Sequence, residues 1–380
     1  MDKTYRIAQF GTYDIESTGD TMFPKGFSYG IQRFLPVEIE LFSMTECAAP
    51  YNGNSHVYSF DQFMERSSAK PFDAVVIGGG EFLHFKKIDV VIDGSPKSYP
   101  EGFIWKKPID MAREARVPTI LLNCVGVSYD FTPSQQQELR EYMEQVDLIS
   151  VRDEFSALRV RKAGIPKEKV VCVADNLWYF NRMYPKQELT ALRCELEKRT
   201  GHDFCMPYLV VQYGTTKNTA ELTRQLLTIK DRTGYRIYLM AVNYCHEDRT
   251  GLKQLKAAGG GAFLSIEDYF QPVEILSVIA GAKAFFGTSF HGNLISASYG
   301  VPFVGIDMYS SFVSKMDGLF MMLGCEQYLT ADEFGVAAAY EAFAQDRETL
   351  RRLSERIEQI QTCLDGHFAR MAKIIRKETE

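Results

Sequence analysis

Hydrophobic and polar positions along this chain fall into two alternating rhythms. Short apolar runs rich in β-branched and aromatic residues predict strands at 5–11, 37–42, 73–77, 118–124, 147–151 and 170–173. Longer amphipathic stretches such as 103–116 and 134–145 separate them and predict helices. Strand and helix alternating in this way build parallel sheets through right-handed crossovers, so the fold class is α/β. From 183 to 207 the chain turns polar, with a helical middle bracketed by Pro185 and Pro207, which suits a connector. The rhythm then restarts, with strands expected at 208–213, 235–241, 262–264, 283–286 and 302–306 and helices at 218–230, 248–257, 272–281 and 292–299. In the tail, Leu350, Leu353, Ile357, Ile360, Leu364 and Phe368 recur at intervals of three and four, the pattern of one long amphipathic helix. The expected organisation is therefore a doubly wound domain over 1–182, a connector over 183–207, a second domain over 208–345 and a C-terminal helix over 346–380.

Length supports that division, since 380 residues exceed what one ordinary core accommodates. With 46% hydrophobic and 24% charged residues, the chain has the balance of a folded globular protein. A net charge of −6, with basic residues scattered, gives no footprint for a nucleic acid backbone. No secretory signal is expected at the N-terminus, and no apolar run approaches the roughly 20 residues that cross a bilayer. The eight cysteines occur singly, several within apolar runs, which fits reduced thiols in the cytoplasm. They and the six dispersed histidines offer no close pair for a structural metal, so none is expected.

In open α/β sheets ligands bind beyond the carboxyl ends of strands, where helix N-termini present free amides. Four strand-to-helix turns carry candidate chemistry. In FGTYDIESTGD, Gly19 and Asp20 lie in a glycine-bearing turn, and Asp20 either caps the next helix or meets substrate. In VVIGGGEFLH, Gly78, Gly79 and Gly80 precede Glu81; they form either an anion nest or simply a tight strand exit. They do not match the dinucleotide fingerprint, so no nicotinamide cofactor is implied. In ISVRDEFSAL, Arg152 and Asp153 follow a strand, and a guanidinium there either grips a carboxylate or phosphate or pairs with Asp153 or Asp175. In FFGTSFHGNLIS, His291 sits near a helix N-terminus among Thr288, Ser289, Gly292 and Asn293, a position that favours proton-transfer chemistry.

The motifs GTYD…STGD, IGGGEFLH, SVRDEFSALRVRKAGI, VADN, VVQYG and TSFHGNLISASYGVPFVGID, in that order over roughly 7–315, resemble the polysaccharide pyruvyl transferase family. The resemblance implies two Rossmann-like domains of the GT-B kind. It also implies transfer of a pyruvyl group from phosphoenolpyruvate to a sugar of a cell-surface polysaccharide or its precursor, as a ketal. Asp20, Arg152, Asp175 and His291 match residues of the family's motifs. The chain departs from the pattern at Ser17, where the family has asparagine, and at Ser289-Phe290-His291, where Arg-Leu-His is common, removing one expected anion clamp.

The resulting expectation is a cleft enzyme with His291, Arg152 and Asp20 as catalytic residues. Gly19, Gly78, Gly79, Gly80, Glu81, Asp153, Asp175, Thr288, Ser289, Gly292 and Asn293 would contact substrate. No cofactor is called for, phosphoenolpyruvate being a donor substrate. The partners are a small phosphorylated donor and a carbohydrate acceptor. A GT-B glycosyltransferase using a sugar nucleotide, or a catalytically lapsed binding protein of a polysaccharide-synthesis complex, fits the same motifs.

Overall fold

The computed structural model describes residues 3–48, 51, 53, 55–92, 95–214, 217–245, 248–307 and 314–378. The chain divides into two compact units, one of residues 1–15, 19–177 and 360–380 and the other of 16–18 and 178–359. Each is built on its own parallel sheet, as the alternating pattern requires.

The first unit contains β1 (Tyr5–Phe10), β2 (Val37–Ser43), β3 (Val57–Ser59), β4 (Ala74–Ile77), a hairpin of β5 (Ile88–Ile92) and β6 (Ser95–Tyr99), β7 (Ile120–Val125), β8 (Leu148–Val151) and β9 (Val170–Cys172). Apart from the hairpin these form a seven-stranded sheet in the order β3-β2-β1-β4-β7-β8-β9. The central strand β4 reads AVVI and is buried throughout, as a strand with helices on both faces must be. Aromatic packing fills one side, with Phe10 and Phe42 stacked at 5.0 Å and Phe63 edge-on to both.

The second unit contains β10 (Tyr208–Gln212), β11 (Arg236–Met240), β12 (Leu264–Ile266), β13 (Ala284–Gly287), β14 (Phe303–Ile306) and β15 (Leu329–Thr330), in the order β12-β11-β10-β13-β14-β15. Residues 183–207, expected as a connector, contain the helix Lys186–Thr200, which packs on the helix Pro272–Gly281 of this unit. The tail is one helix, Arg347–Arg376, and its buried stripe of Leu353, Ile357, Ile360, Leu364, Phe368 and Met371 keeps the predicted spacing.

Both sheets reverse direction of winding at one point, between β1 and β4 in the first unit and between β10 and β13 in the second. The loops leaving those four strands are where such sheets receive ligands. They carry, in order, Gly11 and Thr12, the three glycines 78–80, Gln212 with Tyr213, and Thr288 to His291. Among the described residues no helix is long and apolar enough to cross a membrane.

Candidate functional site

In the first unit the helix after β1 begins at Thr18, so Asp20 lies inside its first turn rather than in the loop before it. A carboxylate is favoured there by the positive end of the helix dipole. Asp20 accepts a hydrogen bond of 3.0 Å from the Thr12 hydroxyl, and Gly80 stands against it: a Cβ on Gly80 would lie 3.1 Å from its Oδ1.

The glycine run adopts φ values of 128°, 99° and 78° at Gly78, Gly79 and Gly80, a region that residues with a side chain rarely adopt. A Cβ on Gly79 would also strike the Phe23 ring at 2.4 Å. The Gly78 amide donates to the Phe10 carbonyl at 3.0 Å and the Gly79 amide to the Asn123 carbonyl at 3.2 Å. Those two amides therefore serve the strand exit and are not presented together to an anion. The Asn123 carbonyl reaches Gly79 because β7 carries a bulge between Leu122 and Val125, where Cys124 takes φ 53°. Ser150 braces it, its hydroxyl accepting from the Cys124 amide at 2.9 Å and donating to the Leu122 carbonyl at 3.0 Å.

Past the glycines, Glu81 accepts from the Ser128 hydroxyl at 2.9 Å and lies 3.9 Å from the Arg152 guanidinium. Arg152 is only 3% exposed and stands against Gly126, with Asp153 on its other side at 3.6 Å. Both are ion pairs at lengths beyond a hydrogen bond. Asp153 spends its other oxygen capping the helix Glu154–Lys162, accepting from the Ser156 amide at 2.7 Å. Asp175 is buried and accepts from the Leu177 amide at 2.9 Å, closing its own turn. Asp20, Gly80, Glu81 and Arg152 thus form one contiguous row along the carboxyl ends of β1, β4, β7 and β8.

His84 joins this loop. Its Nδ1 accepts from the Lys86 amide at 3.1 Å, which leaves the proton of the neutral ring on Nε2, and its carbonyl is held by Trp105 Nε1 at 2.9 Å. Burial, assisted by the Lys86 charge, lowers its pKa from 6.5 to about 4. The imidazole is therefore neutral at physiological pH.

In the second unit Gln212 organises the site. Buried at the end of β10, it donates to Asp248 at 2.9 Å and accepts from the Ser289 amide at 2.9 Å. Asp248, at the start of the helix Asp248–Gly259, accepts from the amides of Val242 and Asn243 at 3.0 Å each. One glutamine and one aspartate thereby fix the loops leaving β10, β11 and β13. Glu333 fixes a further stretch, accepting from the Tyr213 hydroxyl and from the amides of Asn218 and Lys217. Burial raises the pKa of that carboxyl, but the hydrogen bonds outweigh it and the net shift is downward, so Glu333 is held as the carboxylate.

Ser289 is the N-cap of the helix Phe290–Ser298, its Oγ accepting from the Gly292 amide at 3.2 Å. Asn293 braces the same turn, donating to the carbonyls of Gly287 and Ser289 at 3.2 and 2.8 Å. Gly292 lets the helix press on β13, since a Cβ there would fall 2.3 Å from the Phe285 ring. His291 is the second residue of this helix, half-buried, edge-on to Phe290 at 5.3 Å, beside Thr288 at the carboxyl end of β13. The capping role predicts that Ser289→Ala costs about 1 kcal/mol of stability, read as a lowered urea midpoint with an unchanged slope.

Thr12, Ser128, Gln212, Asp248 and Glu333 were not singled out from the sequence. Gln212 had a detectable signal, a lone amide ending the apolar run YLVVQ. Glu333 had none, because its partners lie more than a hundred residues away. Among the described residues one group, Glu197, Asp203 and Cys205, brings three metal-capable atoms together. Asp203 is already paired with Arg236 at 2.5 Å, and Cys205 donates to Glu197.

A sequence profile of the polysaccharide pyruvyl transferase family matches residues 18–310. No curated protein matches the chain in sequence. Among solved structures, the chain is similar to the UDP-GlcNAc 2-epimerase of Neisseria meningitidis, solved bound to UDP-GlcNAc (TM-score 0.65, 9% identity, covering 97% of this chain and 100% of that one). It is also similar to a glycosyltransferase from Rickettsia africae (TM-score 0.63, 9% identity, 100% of both chains). The UDP-GlcNAc 2-epimerase of Methanocaldococcus jannaschii follows (TM-score 0.61, 10% identity, 94% and 99%). At such identities the likeness is one of fold, of the GT-B kind.

Proposed function

The chain belongs to the polysaccharide pyruvyl transferase family, and from that premise we propose that it transfers the pyruvyl group of phosphoenolpyruvate to a sugar of a cell-surface polysaccharide or its precursor, forming a cyclic ketal. The observation that carries the proposal is positional. Of the residues matching the family's motifs, Asp20 and His291 lie in the first turns of the helices that follow the switch-point strands β1 and β13, and Arg152 follows β8 at the same carboxyl edge of the first sheet.

The chemistry assigns the roles. A proton is delivered to the methylene carbon of the enol, and a sugar hydroxyl adds to the carbon it adjoins. Phosphate departs with its bridging oxygen, and a second hydroxyl closes the ketal. Of the two hydroxyl protons released, one balances the new methyl group and the other leaves with phosphate. An acid and a base are needed, and His291 and Asp20 fill those roles in this proposal. Arg152 is assigned the donor's carboxylate, for which a planar guanidinium is the matching shape. That carboxylate competes with Glu81, whose 3.9 Å separation marks a loose pairing. The amides of Gly78 and Gly79 are engaged in the fold and are not assigned the phosphate. No cofactor enters the scheme, and the eight free cysteines suit a cytoplasmic setting.

The test is release of inorganic phosphate from phosphoenolpyruvate, dependent on added glycan acceptor, with the ketal methyl group detected in the product by NMR. Acceptor-dependent release of UDP from a UDP-sugar in place of phosphate would overturn the proposal.

A further inference from the structure

A pair of tyrosines in the second unit has no part in the scheme above. Tyr244 lies in the loop that leaves β11 and Tyr269 in the loop that leaves the neighbouring strand β12, both at the carboxyl edge of the sheet. Their rings stack with centroids 4.7 Å apart and planes inclined by 26°. The Arg249 guanidinium covers Tyr244, 4.8 Å from the ring centroid. The hydroxyl of Tyr269 donates to Glu16 at 2.8 Å, and the Tyr244 hydroxyl accepts from the Phe270 amide at 2.8 Å. Glu16 is itself fixed, its carbonyl accepting from the Tyr244 amide at 2.8 Å.

Despite these restraints Tyr269 is 43% exposed. A large aromatic ring held at its tip and on one side yet still exposed has already lost much of the side-chain entropy that binding would cost. Its ring can meet a flat, weakly polar surface such as the C–H face of a pyranose. Glu16 is an exposed carboxylate at the Tyr269 hydroxyl, placed to accept hydrogen bonds from the hydroxyls of a neutral polyol.

We propose that the Tyr244–Tyr269 stack is a carbohydrate platform that seats the pyranose ring of the acceptor, with Glu16 taking hydrogen bonds from its hydroxyls; this rests on the transferase reading given above. The decisive experiment contains no donor. Saturation-transfer difference NMR is recorded on the full chain with the methyl glycosides of glucose, galactose, mannose and N-acetylglucosamine, using wild type, Tyr269→Ala and Tyr269→Phe.

At least one glycoside is expected to show saturation at its ring protons. Its affinity should fall about tenfold in Tyr269→Ala, equivalent to about 1.4 kcal/mol, and stay within about threefold in Tyr269→Phe, which keeps the stacking face. In turnover assays Tyr269→Ala should raise the acceptor KM about tenfold and leave the donor KM unchanged. Thermal unfolding of each variant shows that the fold is retained. Silence of all four glycosides, equal binding to wild type and Tyr269→Ala, or Tyr269-dependent binding of UMP in place of a sugar would each overturn the platform. Loss of phosphate release from phosphoenolpyruvate with glycoside binding intact would strike the transfer reading instead.

Discussion

Replacing His291 with alanine is expected to lower the rate of phosphate release from phosphoenolpyruvate by about a hundredfold or more, with the melting temperature nearly unchanged. The two effects separate because three other residues hold the helix Phe290–Ser298 in place. Ser289 caps that helix, Asn293 ties its first turn to Gly287, and Gly292 seats it against Phe285. Removing the ring takes away a proton donor or acceptor and leaves those three attachments in place. Arg152 is a less clean probe. It is 3% exposed between Glu81 and Asp153, so Arg152→Ala strands two carboxylates and lowers stability together with activity. Turnover of His291→Ala within about threefold of wild type, in protein with an unchanged circular dichroism spectrum, would remove His291 from the mechanism.

The doubly wound pattern was legible because strands buried on both faces are written as largely apolar runs: β4 (AVVI) and β13 (AFFG) are uninterrupted, and β7 and β10 are each broken by a single amide, Asn123 and Gln212. What escaped were elements too short or too local to carry a period. β3 has three residues and β15 two, and the β5–β6 hairpin pairs a strand with a segment, SPKSY, that has no apolar alternation. Strand β12 falls at 264–266 rather than 262–264, because Gly260–Ala262 is a short turn of 3-10 helix. The places where chemistry could sit were legible for a topological reason, since each strand-to-helix turn marks a carboxyl end. The division of labour within those turns was not. The Gly78 amide is held by β1 and the Gly79 amide by the bulged part of β7, and LLNCV reads as a plain strand. Ser289 and Asp153 resemble ligand contacts in sequence and act as helix caps in the fold, because a side-chain oxygen one residue before a helix has amides at hand.

His367 was equally hidden, one more residue on a long helix, and it dictates how the protein should respond to acid. Its ring is buried in the first unit, with Nε2 3.1 Å from Asn123 Oδ1 and 3.2 Å from the Ser150 hydroxyl. Because Asn123 Oδ1 only accepts, the proton of the neutral ring sits on Nε2. Nδ1 is buried with no hydrogen-bond partner, so protonating it would create an unsatisfied cationic N–H inside the core. Burial, assisted by the Arg370 charge, accordingly lowers the pKa from 6.5 to about 3. As pH falls through 6.5 the unfolded chain takes up this proton and the folded chain does not, so stability declines with falling pH and levels off only near 3. The slope approaches about 1.4 kcal/mol per pH unit, or about 2 kcal/mol between pH 7 and pH 5. His84 acts in the same direction between 6.5 and about 4. His367→Gln keeps a polar side chain against Asn123 and Ser150 and cannot titrate. Urea denaturation of wild type and His367→Gln at pH 7 and pH 5 should therefore show the acid-induced loss shrinking by about 2 kcal/mol in the variant. Parallel losses in the two proteins would mean that the folded chain protonates His367 as readily as the unfolded one does.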